Sequence, residues 1–136
     1  NWNVKVMPVS GISRESEVIA AYQYVRTMRK LWNDTNGERG AFVVATNLSA
    51  GTDGEFGDDH PIWCAVYDDL GQLGVLNVCS VTNNESFIDE EGDLPSTCRS
   101  EFLVAVTNTN RDDIRVMPSG YGKTHVDLGA PGSGTF

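Results

Sequence analysis

The stretch Gly74-Val-Leu-Asn-Val-Cys-Ser-Val-Thr-Asn83-Asn84-Glu85 constrains this chain most. An apolar, β-branched run rises from a glycine and ends abruptly in two amides and a carboxylate. A buried strand of a parallel sheet reads this way, with a polar tip at its carboxyl end. In open α/β sheets, ligands bind in the crevice outside those carboxyl ends. The remaining sequence has to build a sheet around this strand and bring partners to its tip.

Taken in order, the chain does so. Asn3-Val-Lys-Val-Met-Pro-Val9 reads as a short strand, with Pro8 marking its end or an edge position. Ser13 is a good N-cap, with Glu15 and Glu17 in the first turn. Val18, Ala21, Tyr22, Val25, Met28 and Trp32 then recur at helical spacing, and Asn36-Gly37 stops the helix. Ala41–Leu48 is the next strand and ends in Ser49-Ala50-Gly51. A polar loop from Thr52 to Asp59 leads to a helix capped by Asp58 or Asp59, with Pro61 in its first turn. The strand Val75–Val81 follows. Two successive βαβ units result, which predicts an α/β fold with a doubly wound, mostly parallel sheet and flanking helices. Glu101–Val106 and Val126–Leu128 are further strand candidates. No linker divides residues 1–136, so one domain, or part of one, is expected.

Composition narrows the partners. A net charge of −9 is wrong for a nucleic-acid surface, which needs clustered Lys and Arg. No apolar run approaches the roughly 20 residues that span a bilayer, so no membrane partner is expected. The three cysteines, Cys64, Cys79 and Cys98, show no CxxC spacing, and no zinc site follows. Cys64 and Cys79 lie in apolar surroundings and read as core residues; a bridge between Cys79 and Cys98 stays open. No cofactor is expected. The acidic loop after Gly51 offers carboxylates to a structural calcium ion, but it lacks the EF-hand pattern and reads as a solvated turn.

Chemistry belongs at the strand tips. Ser49-Ala50-Gly51 and Thr82-Asn83-Asn84 fall on one edge of the sheet if their strands are parallel. Small residues let a ligand approach the backbone, and an amide such as Asn83 can donate to a developing oxyanion. The same amides also turn a chain well, which is the blander account of them. Neither His60 nor His125 has a serine in a strained Gly-x-Ser-x-Gly elbow nearby, and both read as surface or packing residues.

These fragments, in this order, resemble the central part of the subtilisin-like serine peptidases, close in flavour to secreted bacterial members. Ala45-Thr-Asn-Leu-Ser-Ala-Gly51 is similar to the family's substrate-pairing strand ending Asn-Met-Ser-Leu-Gly. Gly74 through Glu85 resembles Gly-Val-Val-Val-Val-Ala-Ala-Ala-Gly-Asn-Glu. Ser119-Gly-Tyr-Gly122 with Val126-Asp-Leu-Gly-Ala-Pro-Gly132 looks like Phe-Ser-Asn-Gly followed by Val-Asp-Val-Ala-Ala-Pro-Gly. The resemblance implies a partial subtilisin-like fold, a peptide or protein substrate and a secreted, extracellular location. It places the oxyanion-hole Asn on Asn83, with Asn84 as the alternative. Ser49, Ala50 and Gly51 become one substrate-binding edge, and Ser80, Val81 and Thr82 the wall of the adjoining pocket. Thr82 stands where the family has Gly. The family's catalytic Asp, His-Gly-Thr-His and Gly-Thr-Ser-Met-Ala segments have no counterpart in this sequence, so the isolated chain is expected to be inactive. A fragment of this kind is expected to leave apolar sheet surface uncovered and to self-associate. A non-catalytic peptide-binding module, or one chain of a processed two-chain peptidase, are the rival readings.

Overall fold

The computed structural model describes residues 3–134. Helix α1 (Glu15–Asp34) opens the regular structure. Its first free N–H groups are met by Glu17, whose carboxylate accepts the Ser13 N–H at 2.8 Å, the Ser13 hydroxyl at 2.9 Å and the Arg14 N–H at 3.0 Å. Arg14, one residue later than expected, is the N-cap. Val18, Tyr22, Val25 and Arg29 form the buried face, spaced as the periodicity requires. Arg29 is buried without an acidic partner among the described residues. Its guanidinium donates to the Val43 carbonyl and to Asn33 and lies 4.3 Å over the Phe42 ring, which anchors the helix end to the approach of the next strand.

The elements that follow are β1 (Ala45–Leu48), β2 (Thr52–Asp53), α2 (Pro61–Gly71), β3 (Leu76–Ser80), the short α3 (Ile88–Glu91), β4 (Asp93–Leu94), β5 (Leu103–Thr109) and β6 (Leu128–Pro131). Strands β1, β3, β5 and β6 form one sheet in that order, all parallel, and β2 pairs antiparallel with β4 in a separate ribbon. The fold is α/β with a mostly parallel sheet and flanking helices. The N-cap of α2 is His60, not Asp58 or Asp59, and Pro61 opens the helix as expected.

The segment 3–9 is not a strand. Among the described residues no strand of the sheet pairs with residues 4–9, and Val4 and Val6 are exposed at 62% and 86%. A run of alternating valines is only half of a strand; the other half is pairing with a neighbour, and among the described residues the outer edge of β1 is left open. The first of the two expected βαβ units therefore lacks its opening strand, while β1–α2–β3 is complete.

One core holds the helices to the sheet. Tyr22 of α1 meets Tyr67 of α2 edge-on at 5.3 Å, and the Trp63 indole N–H donates to the Tyr67 hydroxyl at 2.9 Å. Leu70, Val75, Cys79 and Ala105 lie beneath them, all but sealed from solvent. Full burial of an aliphatic side chain such as Leu70 contributes about 1.5–3 kcal/mol. Asn77 is also fully buried, yet satisfied: it accepts the Thr46 hydroxyl at 2.7 Å and donates to the Tyr67 and Phe102 carbonyls at 3.3 and 3.2 Å.

The opposite face of the sheet is different. The strand alternation places Leu76, Val78, Val104, Val106, Leu128 and Ala130 there. Leu76 and Leu128 are 45% and 46% exposed, and no helix among the described residues covers them. Exposed apolar surface of this extent favours association. We expect the isolated chain to self-associate through this face at micromolar concentration, and Val104→Lys with Leu128→Lys to shift it toward monomer by light scattering. A wild-type chain that is monomeric under the same conditions would contradict this.

Cysteine pairing departs from the sequence reading. Cys64, on the first turn of α2, is bonded to Cys98, with Cα atoms 5.2 Å apart. Cys79 is the free thiol; it points into the core at 1% exposure, and burial, followed by the charges of Asp93 and Asp127, pushes its pKa up to about 12. Helical periodicity fails to identify Cys64 because its position is only half-buried and faces the loop behind α2. That loop comes close: a Cβ on Gly57 would meet Cys98 Cα and the Thr97 carbonyl at 2.7 Å. Cys64→Ser with Cys98→Ser is expected to cost about 4 kcal/mol in denaturant unfolding, the scale for closing a loop of this size. An unchanged midpoint would show that the bond only decorates a loop already held.

Candidate functional site

The carboxyl edge of the sheet forms a cleft of about 230 Å³. Ser49, Ala50 and Gly51 line it from the end of β1, and Ser80, Val81, Thr82, Asn83 and Asn84 from the end of β3. Every site residue picked out in the sequence lies in this one crevice. Two more residues line it that the sequence reading did not pick out, Asp53 of β2 and Asp93 of β4.

Parallel register is what brings the tips together. Thr46 pairs with Asn77 and Leu48 with Cys79, so Ser49 and Ser80 emerge at the same level. Gly51 then turns into the ribbon under close constraint: a Cβ there would sit 2.0 Å from the Leu94 carbonyl oxygen. Only glycine fits between the β1 tip and β4.

The β3 tip is held equally firmly up to Thr82. The Val81 N–H donates to the Val106 carbonyl at 3.1 Å, the Thr82 N–H to the Asp93 carboxylate at 3.1 Å, and the Thr82 carbonyl accepts from Gly120 at 2.9 Å. Val81 and Thr82 are buried; beyond them Asn83 and Asn84 are exposed. The two amides differ. Asn84 donates its Nδ2 to Asp53 at 2.5 Å, and its N–H goes to the Thr82 hydroxyl at 3.1 Å. The Asn83 side chain makes no hydrogen bond to the described residues. A rigid strand thus presents one committed amide and one uncommitted amide at its end.

Asp93 is 3% exposed and organises the loop behind the cleft. Its Oδ2 accepts the Thr82 N–H and the Ser96 hydroxyl, the latter at 2.6 Å, and its carbonyl accepts the Thr97 N–H at 2.9 Å. Burial raises its pKa; the donors from Ser96 and Thr82 offset part of that, and nearby Asp53 adds to the rise. The sequence showed only a turn-rich segment here, because the pairing of Asp53 with Asp93 joins residues far apart along the chain.

The histidines lie elsewhere. His60 bridges Glu15 at 3.1 Å and Glu55 at 3.3 Å. Burial disfavours its charged form, but those two carboxylates outweigh burial and raise its pKa. His125 lines a second cavity of about 420 Å³ with Arg99, Ser100 and Asp127, at the amino ends of β5 and β6. Its Nδ1 meets Asp89 at 3.0 Å, and the same carboxylate gathers the N–H groups of Lys123, Thr124 and His125 at 2.7, 3.1 and 3.1 Å. An Asp–His pair is half of a nucleophilic relay, yet no serine hydroxyl or cysteine thiol among the described residues hydrogen-bonds either imidazole. Nor is there a group of three or more His, Cys, Asp or Glu among the described residues that could hold a metal ion.

Several solved structures share this fold. A lanthipeptide protease superposes with a TM-score of 0.60 at 18% identity over 88% of this chain and 34% of its own. The epidermin leader peptide processing serine protease EpiP from Staphylococcus aureus gives 0.64 at 13% identity, over 90% of this chain and 32% of that one. The nisin leader peptidase NisP from Lactococcus lactis gives 0.59 at 18% identity, over 88% and 37%. The chain thus has a fold found within serine proteases and spans about a third of their length. No protein-family model matches it, and no curated protein does.

The Asp89 cluster yields a pH test. Burial works to raise the Asp89 pKa, but the donors from Lys123, His125 and Thr124 outweigh it and hold the carboxyl below the usual range. A depressed folded pKa gives stability that is present above the unfolded value, about 4, and lost as pH falls through the folded one. Asp89→Asn is expected to flatten that acid limb in urea midpoints measured against pH. An acid limb as steep as wild type would show that Asp89 does not contribute to it.

Proposed function

We propose that this chain is the substrate-binding core of a subtilisin-like serine endopeptidase, secreted and acting on peptide or protein substrates. The observation that carries the reading is the convergence of both strand tips on one cleft with the Asn83 amide uncommitted. In this reading Ser49, Ala50 and Gly51 form one edge of the peptide site, and Ser80, Val81 and Thr82 the wall of the adjoining pocket. The scissile carbonyl lies over the β3 tip. As a nucleophile adds to it, the carbonyl oxygen gains charge, and the Asn83 Nδ2 donates to that oxyanion. The engagement of Asn84 by Asp53 favours Asn83 for this task.

Nucleophile and base come, in this proposal, from groups other than the described residues, since neither histidine has a hydroxyl or thiol partner. The fold neighbours are named as peptidases, which supports the reaction class. The Cys64–Cys98 disulfide fits an oxidising, extracellular location. Among the described residues no helix is long and apolar enough to cross a membrane.

Two measurements test the proposal. The isolated chain is expected to stay unlabelled by a fluorophosphonate probe, and stoichiometric labelling would contradict it. In the full gene product, Asn83→Ala is expected to lower kcat about 10²–10³-fold with KM little changed, the loss seen when subtilisin loses one such donor. Asn84→Ala is expected to leave kcat within a few fold. Equal losses at both positions would overturn the assignment of the donor.

A further inference from the structure

The cleft carries two carboxylates and no basic side chain. Asp53 and Asp93 are register partners across the β2–β4 ribbon, and both line the crevice between the strand tips. Like charges placed directly opposite on paired strands repel, and neither residue joins an ion pair among the described residues. The polar donors present are local: the Asn84 amide to Asp53, and the Thr82 N–H and Ser96 hydroxyl to Asp93. Both Asp93 donors fall on Oδ2. Its Oδ1 accepts no hydrogen bond from the described residues and does not count among their buried polar atoms lacking a partner. Asp93, 3% exposed and on the wall of the cleft, thus has one carboxylate oxygen that takes no donor from the described residues.

We infer that Asp53 and Asp93 make this cleft selective for a basic side chain, arginine or lysine, on the peptide it binds. The inference rests on the peptide-cleft reading proposed above and adds its specificity. A guanidinium or ammonium entering between the β1 and β3 tips reaches two carboxylates whose repulsion it relieves. Arginine presents a planar array of donors that suits paired carboxylate oxygens better than the lysine ammonium does. Access is graded: Asp53 is exposed at the mouth and Asp93 lies buried behind it, so the charged head meets Asp53 first. A bare divalent cation fits less well. Calcium takes six to eight oxygens, and no group of three or more His, Cys, Asp or Glu is gathered among the described residues. Sequence reading could not find this pair, since Asp53 sits in a loop that resembles a solvated turn and Asp93 in another.

The test is equilibrium binding to the chain at low salt, with two N-acetyl tetrapeptide amides that differ only in ending on arginine or on norleucine. The arginine peptide is expected to bind about tenfold more tightly, the scale for a hydrogen-bonded charge pair that is partly desolvated. Asp53→Asn and Asp93→Asn are each expected to remove most of that preference, read as the ratio of the two peptides' affinities for the same variant. Asn at position 93 can still accept from Thr82 and Ser96; should that variant fail to fold, Asp53→Asn, at an exposed position, carries the test alone. Equal affinity of the two peptides, with both seated in the cleft, overturns the charge selectivity while leaving the peptide cleft standing. Binding of neither peptide overturns both readings. Calcium that binds wild type, displaces the arginine peptide and fails to bind Asp53→Asn would make this a metal site and overturn the inference.

Discussion

The hydrogen bond from Thr46 to Asn77 sets the geometry on which the rest of this structure depends. The two residues are register partners on neighbouring parallel strands, and Asn77 is wholly buried. A slip of one residue would carry Asn77 to the open face and drive Leu76 and Val78 beneath the helices. It would also leave the Tyr67 and Phe102 carbonyls without the Asn77 amide as donor. Losing bonds among buried polar groups costs more than any single bond contributes when made. Asn77 therefore ties β1, β3, the approach to β5 and helix α2 into one arrangement.

Register then fixes the site. With Leu48 opposite Cys79, the chain leaves both strands at the same height, and small residues on one side face polar ones on the other. The ribbon of β2 and β4 closes the cleft from behind, and the loop after β4 is bound to α2 through Cys64 and Cys98. Asp93 belongs to both systems: it receives the Thr82 N–H from the β3 tip and turns its own loop through Ser96 and Thr97. Rigid elements thus hold the edges of the crevice, while Asn83 at its rim stays uncommitted.

The central strand and its tip were legible because a buried parallel strand has a sequence signature of its own, a hydrophobic run ending in amides. Helix α1 was legible for the same reason: its apolar stripe keeps a 3.6-residue period through Val18, Tyr22 and Val25. What failed depended on pairing. Residues 3–9 have the composition of a strand, but whether a ladder forms is decided by a neighbour. Cys64 looked like a core residue because helical periodicity says nothing about a loop folding back over the helix. Asp53 and Asp93 were hidden by the same limit, since their opposition arises from a two-residue ribbon joining two polar loops. Placing the site residues in one cleft was within reach of the sequence; the charge of that cleft was not.

In the function proposed above, the β1 and β3 tips form one peptide-binding crevice. Amide chemical shifts of the isotopically labelled chain, followed during titration with a short acetylated peptide amide, test it most directly. Saturable shifts confined to residues 49–53, 80–84 and 93 are expected, with Asn83 Nδ2 among the resonances that move. Shifts centred instead on Arg99, Ser100 and His125, or none at all at millimolar peptide, would contradict it.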